Sequence, residues 1–235
     1  MSEIFPKARI SLKKANVVGT FHCTQPLNDQ ETDSLKGIDA VEFRLDLLKR
    51  LPSSADFKKY QKPWIMTARH PMEGGHRDLD PKQRLRFLMD SIPLASFVDL
   101  ELRFWDEAAA VVELAREAGV GLIASFHDFS QTPSYSALLE TSYLAQQMGA
   151  DVIKLATYLN APSDLGCLLQ LMTASPIPLA AMGMGPLGAV SRLTLASYGS
   201  VLNYGWLGAP LVVGQWPAER FAERLQELDT LKSGR

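Results

Sequence analysis

Helical patterns in this chain repeatedly end in a glycine followed within one or two residues by a short apolar, β-branched run, and this order constrains the fold more than any other feature. Gly37, Gly119 and Gly149 occupy such junctions, where a left-handed C-terminal cap is expected. The apolar runs number eight: 16–20, 40–43, 64–68, 97–100, 121–126, 152–156, 178–182 and 200–203. Between them, three sets of residues keep the period of an amphipathic helix. They are Leu85, Leu88, Met89 and Ile92; Phe104, Ala108, Val111, Val112, Ala115 and Ala118; and Phe221, Leu225 and Leu228. Pro81, Pro133 and Pro217 suit first helical turns, with Asp80 and Thr132 able to cap the first two.

Strands alternating with helices pair in parallel through right-handed crossovers, which leaves a closed (β/α)8 barrel or an open doubly wound sheet. Eight units in 235 residues fit the closed α/β barrel, and no linker or shift of composition divides residues 1–235 into more than one domain.

Charge excludes some roles. With 24 basic and 26 acidic side chains and an isoelectric point near 6.1, the chain has no overall basic field for nucleic acid. Cys23 and Cys167 lie far apart without a C-x-x-C pair, and residues 1–11 hold Glu3, Pro6, Lys7 and Arg9 with no long apolar core. These features predict a reducing, cytoplasmic setting and no disulfide. From Leu165 to Ala218 the sole charge is Arg192. A membrane span needs about 20 apolar residues, but prolines and glycines cut this stretch too finely, so buried strands and helices are expected instead.

In (β/α)8 barrels the chemistry sits at the carboxyl ends of the strands. There the second run carries Glu42 and Arg44 on one face, and the third is followed by Arg69 and then Glu73-Gly74-Gly75, a loop able to fold its carboxylate over the mouth. The fourth bears Asp99 and Glu101, the fifth ends in His127, and the sixth holds Lys154 between Ile153 and Leu155. A lysine in an apolar strand near arginines is expected to lose its proton readily and attack a ketone as a neutral amine. A histidine on the adjacent strand, near its ordinary pKa, can move protons in either direction. His22, His70, His76 and His127 lack metal-ligand spacing, so no metal is expected.

Residues 183–188 match G-x-G-x-x-G, yet no acidic residue follows at the distance a dinucleotide ribose requires, so no such cofactor is expected. Backbone N–H groups at a helix start still favour an anion, and Arg192 lies one turn further on. Arg44, Arg69 and Arg192 therefore predict a locally cationic mouth that takes a small anionic carbonyl compound.

These residues resemble the type I 3-dehydroquinate dehydratase family from about Val17 to Gln215. The resemblance rests on Glu42-Phe43-Arg44, Thr67-Ala68-Arg69 with Glu73-Gly74-Gly75, Ser125-Phe126-His127-Asp128, Val152-Ile153-Lys154-Leu155-Ala156, Met182-Gly183-Met184-Gly185 with Ser191-Arg192, and Gly214-Gln215. It implies a (β/α)8 barrel, usually a homodimer, that removes water from 3-dehydroquinate in the shikimate pathway without metal or redox cofactor. Carried over, Lys154 forms a Schiff base with the ketone, His127 is general acid and base, and Glu73 orients His127. Glu42, Arg44 and Arg69 bind ring hydroxyls, and Arg192 and Gln215 hold the carboxylate. One departure stands out: the family commonly has Ser-Ala-Pro-Gly-Gln in the last loop, where this chain reads Leu211-Val212-Val213-Gly214-Gln215. Aligned without a gap, Leu211 replaces a serine that contacts substrate, and a weaker KM is expected. The alternatives are another imine-forming barrel lyase of the class I aldolase type, and a barrel that binds without catalysis.

Overall fold

The computed structural model describes residues 10–22, 35–48, 51–56, 61–75 and 79–233. Residues 1–9, Cys23, His76 and the last two residues, all part of the sequence-based expectations, lie outside them.

Runs such as Val152-Ile153-Lys154-Leu155-Ala156 are apolar on both faces because strands in a barrel are covered twice, by helices outside and by one another inside. The strands are β1 (Asn16–Phe21), β2 (Ala40–Arg44), β3 (Trp64–Thr67), β4 (Phe97–Glu101), β5 (Gly121–Asp128), β6 (Val152–Tyr158), β7 (Leu179–Met184) and β8 (Leu202–Leu207). All pair in parallel in the order β7-β6-β5-β4-β3-β2-β1-β8. Helices follow β3 to β8 as α1 (Pro81–Ser91), α2 (Ala109–Glu117), α3 (Tyr135–Gln147), α4 (Pro162–Ala174), α5 (Gly188–Ser197) and α6 (Ala218–Ser233). The result is a single-domain (β/α)8 barrel, as the alternation of runs predicts. Val18, Ile65, Ile123 and Val152 fill its interior, and Phe43, Trp64, Leu100 and Leu155 pack in the layer outside the strands.

The barrel closes at a seam between β7 and β8 by side chains and one backbone bond rather than a ladder. Val201 N–H donates to the Leu179 carbonyl at 3.0 Å, and the Ser200 hydroxyl bonds the Ala181 backbone. At the other end, Arg192 donates to Gly183 of β7 at 3.2 Å and to Tyr204 of β8 at 2.8 Å. No helix among the described residues is long and apolar enough to cross a membrane.

The expected strands all form, but most run further toward the mouth than predicted. β8 differs most, extending to Leu207 rather than stopping at Asn203. Gly205 permits this: a side chain there would meet the α6 backbone at Ala218 within 2.5 Å. The predicted Pro133 helix start is also displaced. α3 begins at Tyr135, capped by Ser134, while the Thr132 hydroxyl bonds Thr157 at 2.9 Å and the Tyr158 carbonyl at 3.0 Å, tying the loop to β6. The continuous pattern from Phe104 to Ala118 resolves into two 3-10 turns followed by α2. The glycine caps are as expected, with φ of 74° at Gly37, 63° at Gly119 and 77° at Gly149.

Candidate active site

Inward-facing residues of a parallel barrel form layers, and the last layers at the carboxyl ends surround a cavity of about 330 Å³. All eight residues singled out from the sequence line it: Glu42, Arg44, Arg69, Glu73, His127, Lys154, Arg192 and Gln215.

Lys154 is only 4% exposed, and its Nζ donates to Asp99 at 2.8 Å and to Glu42 at 3.3 Å. The expectation of a lysine among nearby arginines left out these two carboxylate contacts. Glu42 is held by the hydroxyls of Thr20 at 2.9 Å and Thr67 at 2.8 Å. Arg69 donates to Asp99 at 2.9 Å, Glu101 at 3.0 Å and the Ser125 hydroxyl at 2.6 Å. Burial would lower the Arg69 pKa, but Asp99 and Glu101 hold it above its ordinary range. Burial would likewise raise Asp99, yet Arg69 and Lys154 keep its carboxyl well below the usual carboxylate range. Arg44 is clamped in two places by Asp46, at 2.9 and 2.8 Å. Of the four cations among the described residues that line the cavity, Arg44, Arg69 and Lys154 each have a carboxylate partner, because a buried charge without one is costly.

The loop after β3 works as its glycines suggest. Glu73 closes a short 3-10 turn, Gly74 takes a φ of 86°, and a side chain at Gly75 would meet the Arg69 carbonyl at 2.4 Å. The Glu73 carboxylate reaches across to β5, where Oε2 lies 3.0 Å from His127 Nδ1 and 3.1 Å from its backbone N–H. Burial raises the Glu73 pKa to about 7. Burial, joined by Arg69 and Lys154, pushes His127 well below its ordinary value, which corrects the expectation of a near-ordinary histidine. The imidazole is neutral at neutral pH and able to accept a proton.

Arg192 is 4% exposed, and no carboxylate among the described residues lies within ion-pair distance of it. Backbone carbonyls of Gly183 and Tyr204 orient it, and burial lowers its pKa to about 10, leaving it charged. The same cavity is also lined by the apolar Met182, Met184, Leu211 and Val212. The site can therefore hold an anion at Arg192 while a ketone meets Lys154.

A family model described as type I 3-dehydroquinase matches residues 20–232. The chain belongs to the type I 3-dehydroquinase family. Its relatives include a 3-dehydroquinate dehydratase of Thermodesulfovibrio yellowstonii, 33% identical over 78% of this chain and 82% of that one. Another, from Methanocaldococcus jannaschii, is 34% identical over 81% and 88%. Among solved structures, 3-dehydroquinate dehydratase from Geobacillus kaustophilus superposes with a TM-score of 0.80 at 26% identity, covering 92% of each chain.

Within this type I 3-dehydroquinase barrel, several groups that line the cavity or pair with its lining were not assigned a role from the sequence. Asp46 lies in the turn just beyond β2, past the alternation that singled out Glu42 and Arg44, so its pairing with Arg44 left no strand signal. Asp99 was visible as a strand-end carboxylate, but its contact with Lys154 spans β4 to β6 and leaves no local signal. Tyr204 was missed because the eighth run was ended at Asn203, four residues short of the end of β8. Gln215 accepts from the Leu211 backbone N–H at 3.1 Å, so the last loop is closed on itself, with Leu211 against the cavity.

Proposed function

We infer that this chain removes water from 3-dehydroquinate to give 3-dehydroshikimate through a Schiff base on Lys154. The observation that carries the reading is a buried lysine flanked by two carboxylates, in one cavity with a neutral histidine and an arginine that has no carboxylate partner among the described residues.

Arg192 takes the substrate carboxylate, with Gln215 beside it once its bond to Leu211 opens, and Glu42, Arg44 and Arg69 address the ring hydroxyls. Glu42, 3.3 Å from Nζ, accepts the proton that Lys154 gives up before the amine adds to the ketone, while Asp99 stays ionised. The carbinolamine loses its oxygen as water, assisted by His127, and leaves a protonated imine. This cation draws electrons from the neighbouring carbon, so His127 removes a C2 proton and an enamine forms. Collapse of the enamine expels the C1 hydroxyl, which takes a proton from His127 and departs as the second water. Hydrolysis of the imine consumes one water and returns Lys154, so the net change is loss of one water. Glu73 keeps His127 in the tautomer with a proton on Nδ1, leaving Nε2 to accept.

Membership of the family disfavours the aldolase-type alternative, and the absence of a second Lys or Arg from residues 165–218 gives a phosphate little to bind. A single catalytic domain over residues 1–235, a homodimer, a cytoplasmic setting and a place in aromatic biosynthesis complete the reading. The family resemblance supports them, and light scattering at working concentration tests the dimer.

Borohydride added during turnover of 3-dehydroquinate, followed by peptide mass spectrometry, tests the chemistry. An adduct on Lys154 is expected; no adduct while substrate is being consumed would refute the imine.

A further inference from the structure

Tyr204 joins the two walls of the cavity. Its backbone carbonyl receives Arg192 at 2.8 Å, and its ring lies under Lys154, whose Nζ stands 3.9 Å from the ring centre. Tyr204 is among the residues lining the cavity and is 3% exposed; its hydroxyl oxygen, itself almost wholly covered, has no hydrogen-bond partner among the described residues. Phenylalanine would supply the same ring face to the cation without burying a polar group, so the hydroxyl is the feature that requires an account.

A buried hydroxyl without a partner weakens the fold unless something else uses it. We propose that the Tyr204 hydroxyl is a substrate-recognition group, donating a hydrogen bond to an oxygen on or next to the ketone carbon that Lys154 attacks. The inference rests on the Schiff-base reading. Any carbon bonded to Lys154 Nζ is held against the face of this ring, so the oxygens on that carbon and its neighbour are the substrate atoms brought toward the phenol. Burial, reinforced by the charges of Glu42 and Asp99, holds the phenol pKa well above its ordinary value. The group keeps its proton and acts as a donor; no proton is transferred. Because the same residue also fixes Arg192 through its backbone, one rigid strand sets the distance between the carboxylate anchor and the reacting carbon.

Tyr204→Phe tests this, since it keeps the ring under Lys154 and removes only the hydroxyl. The expected result is a fall in kcat/KM of about threefold to tenfold, the range for one neutral hydrogen bond. The rate of borohydride-trapped adduct formation on Lys154 falls in parallel, and the ligand-free variant melts no lower than the parent. A fall of less than about threefold in kcat/KM overturns the proposal. So does a lower Tm of the ligand-free variant, which would give the hydroxyl a partner within the protein. If the parent itself neither turns over 3-dehydroquinate nor traps it, the Schiff-base reading fails and takes this inference with it. Activity in the parent with an indifferent variant removes the inference alone.

Discussion

The two walls of the cavity handle charge in opposite ways. On the β2 to β6 side, Arg44 meets Asp46, Arg69 meets Asp99 and Glu101, and Lys154 meets Asp99 and Glu42, all within 3.3 Å. On the β7 to β8 side, where Met182, Met184, Leu211 and Val212 line the cavity, the hydrogen-bond partners of Arg192 among the described residues are backbone carbonyls. A compensated network keeps reacting groups in place and offers acceptors for their protons. An uncompensated buried cation has its strongest partner outside the protein, so that wall is built to bind an anion rather than to transform it.

The contrast is broken most forcefully at the chemical wall. Lys154→Ala should reduce turnover to background and leave no trapped adduct, whereas His127→Ala should lower kcat by about 10²- to 10⁴-fold while an adduct still forms. Equal loss of adduct in both variants, read by intact mass, would mean that His127 is needed before the imine exists.

At the other wall, Arg192→Met should cut kcat/KM by about 10- to 150-fold, the range for hydrogen bonds to a charged group, mostly through KM. Adduct should still form at high substrate concentration. Its Tm should also fall, since the carbonyls of Gly183 and Tyr204 lose their shared donor across the seam. An unchanged KM would remove the anion site from this wall.

A smaller and pH-dependent effect is expected at Glu73. Its pKa is raised to about 7, so between the unfolded value and 7 the folded protein retains a proton that the unfolded chain has lost. The stability this supplies is present at low pH and is lost as pH rises through about 7. Glu73→Gln should therefore raise Tm relative to the parent more at about pH 8 than at about pH 5; an equal change at both values contradicts the assignment. The parent's rate should also fall on the acid side near pH 7, where protonated Glu73 donates to Nδ1 and turns His127 to the wrong tautomer. That acid limb should disappear in the glutamine variant.

The smallest change concerns the rim. Leu211→Ser should lower KM by about twofold to tenfold, as one hydrogen bond to substrate is restored. A KM that stays put in steady-state assays would place the family serine's contribution elsewhere in this loop.

Much of this was legible in the sequence because barrel strands and helices announce themselves locally. Gly119 and Gly149 mark helix ends by a backbone requirement that L-residues meet poorly, and scarcity of charge was enough to isolate Arg192. Local signals failed where a residue's role depends on its neighbours across the barrel. Thr132 has the chemistry of a helix cap but spends its hydroxyl on β6, and Tyr204 looked like loop until β8 was seen to continue past it. The expected cationic mouth was incomplete for the same reason: among the described residues four cations line the cavity against Glu42 and Glu73, but counting arginines ignores Asp46, Asp99 and Glu101, which pair with Arg44, Arg69 and Lys154.

The sequence by itself determined the repeating unit, the barrel and the identity of Lys154, His127, Glu73 and Arg192 as the residues to watch, since periodicity, caps and residue chemistry are properties of short segments. Only the tertiary structure decided their states. Burial lowers His127 and raises Glu73, Asp99 and Glu42 reach Lys154, and Arg192 is left without a carboxylate among the described residues, because desolvation and ion pairing depend on distances between strands that meet only when the barrel closes.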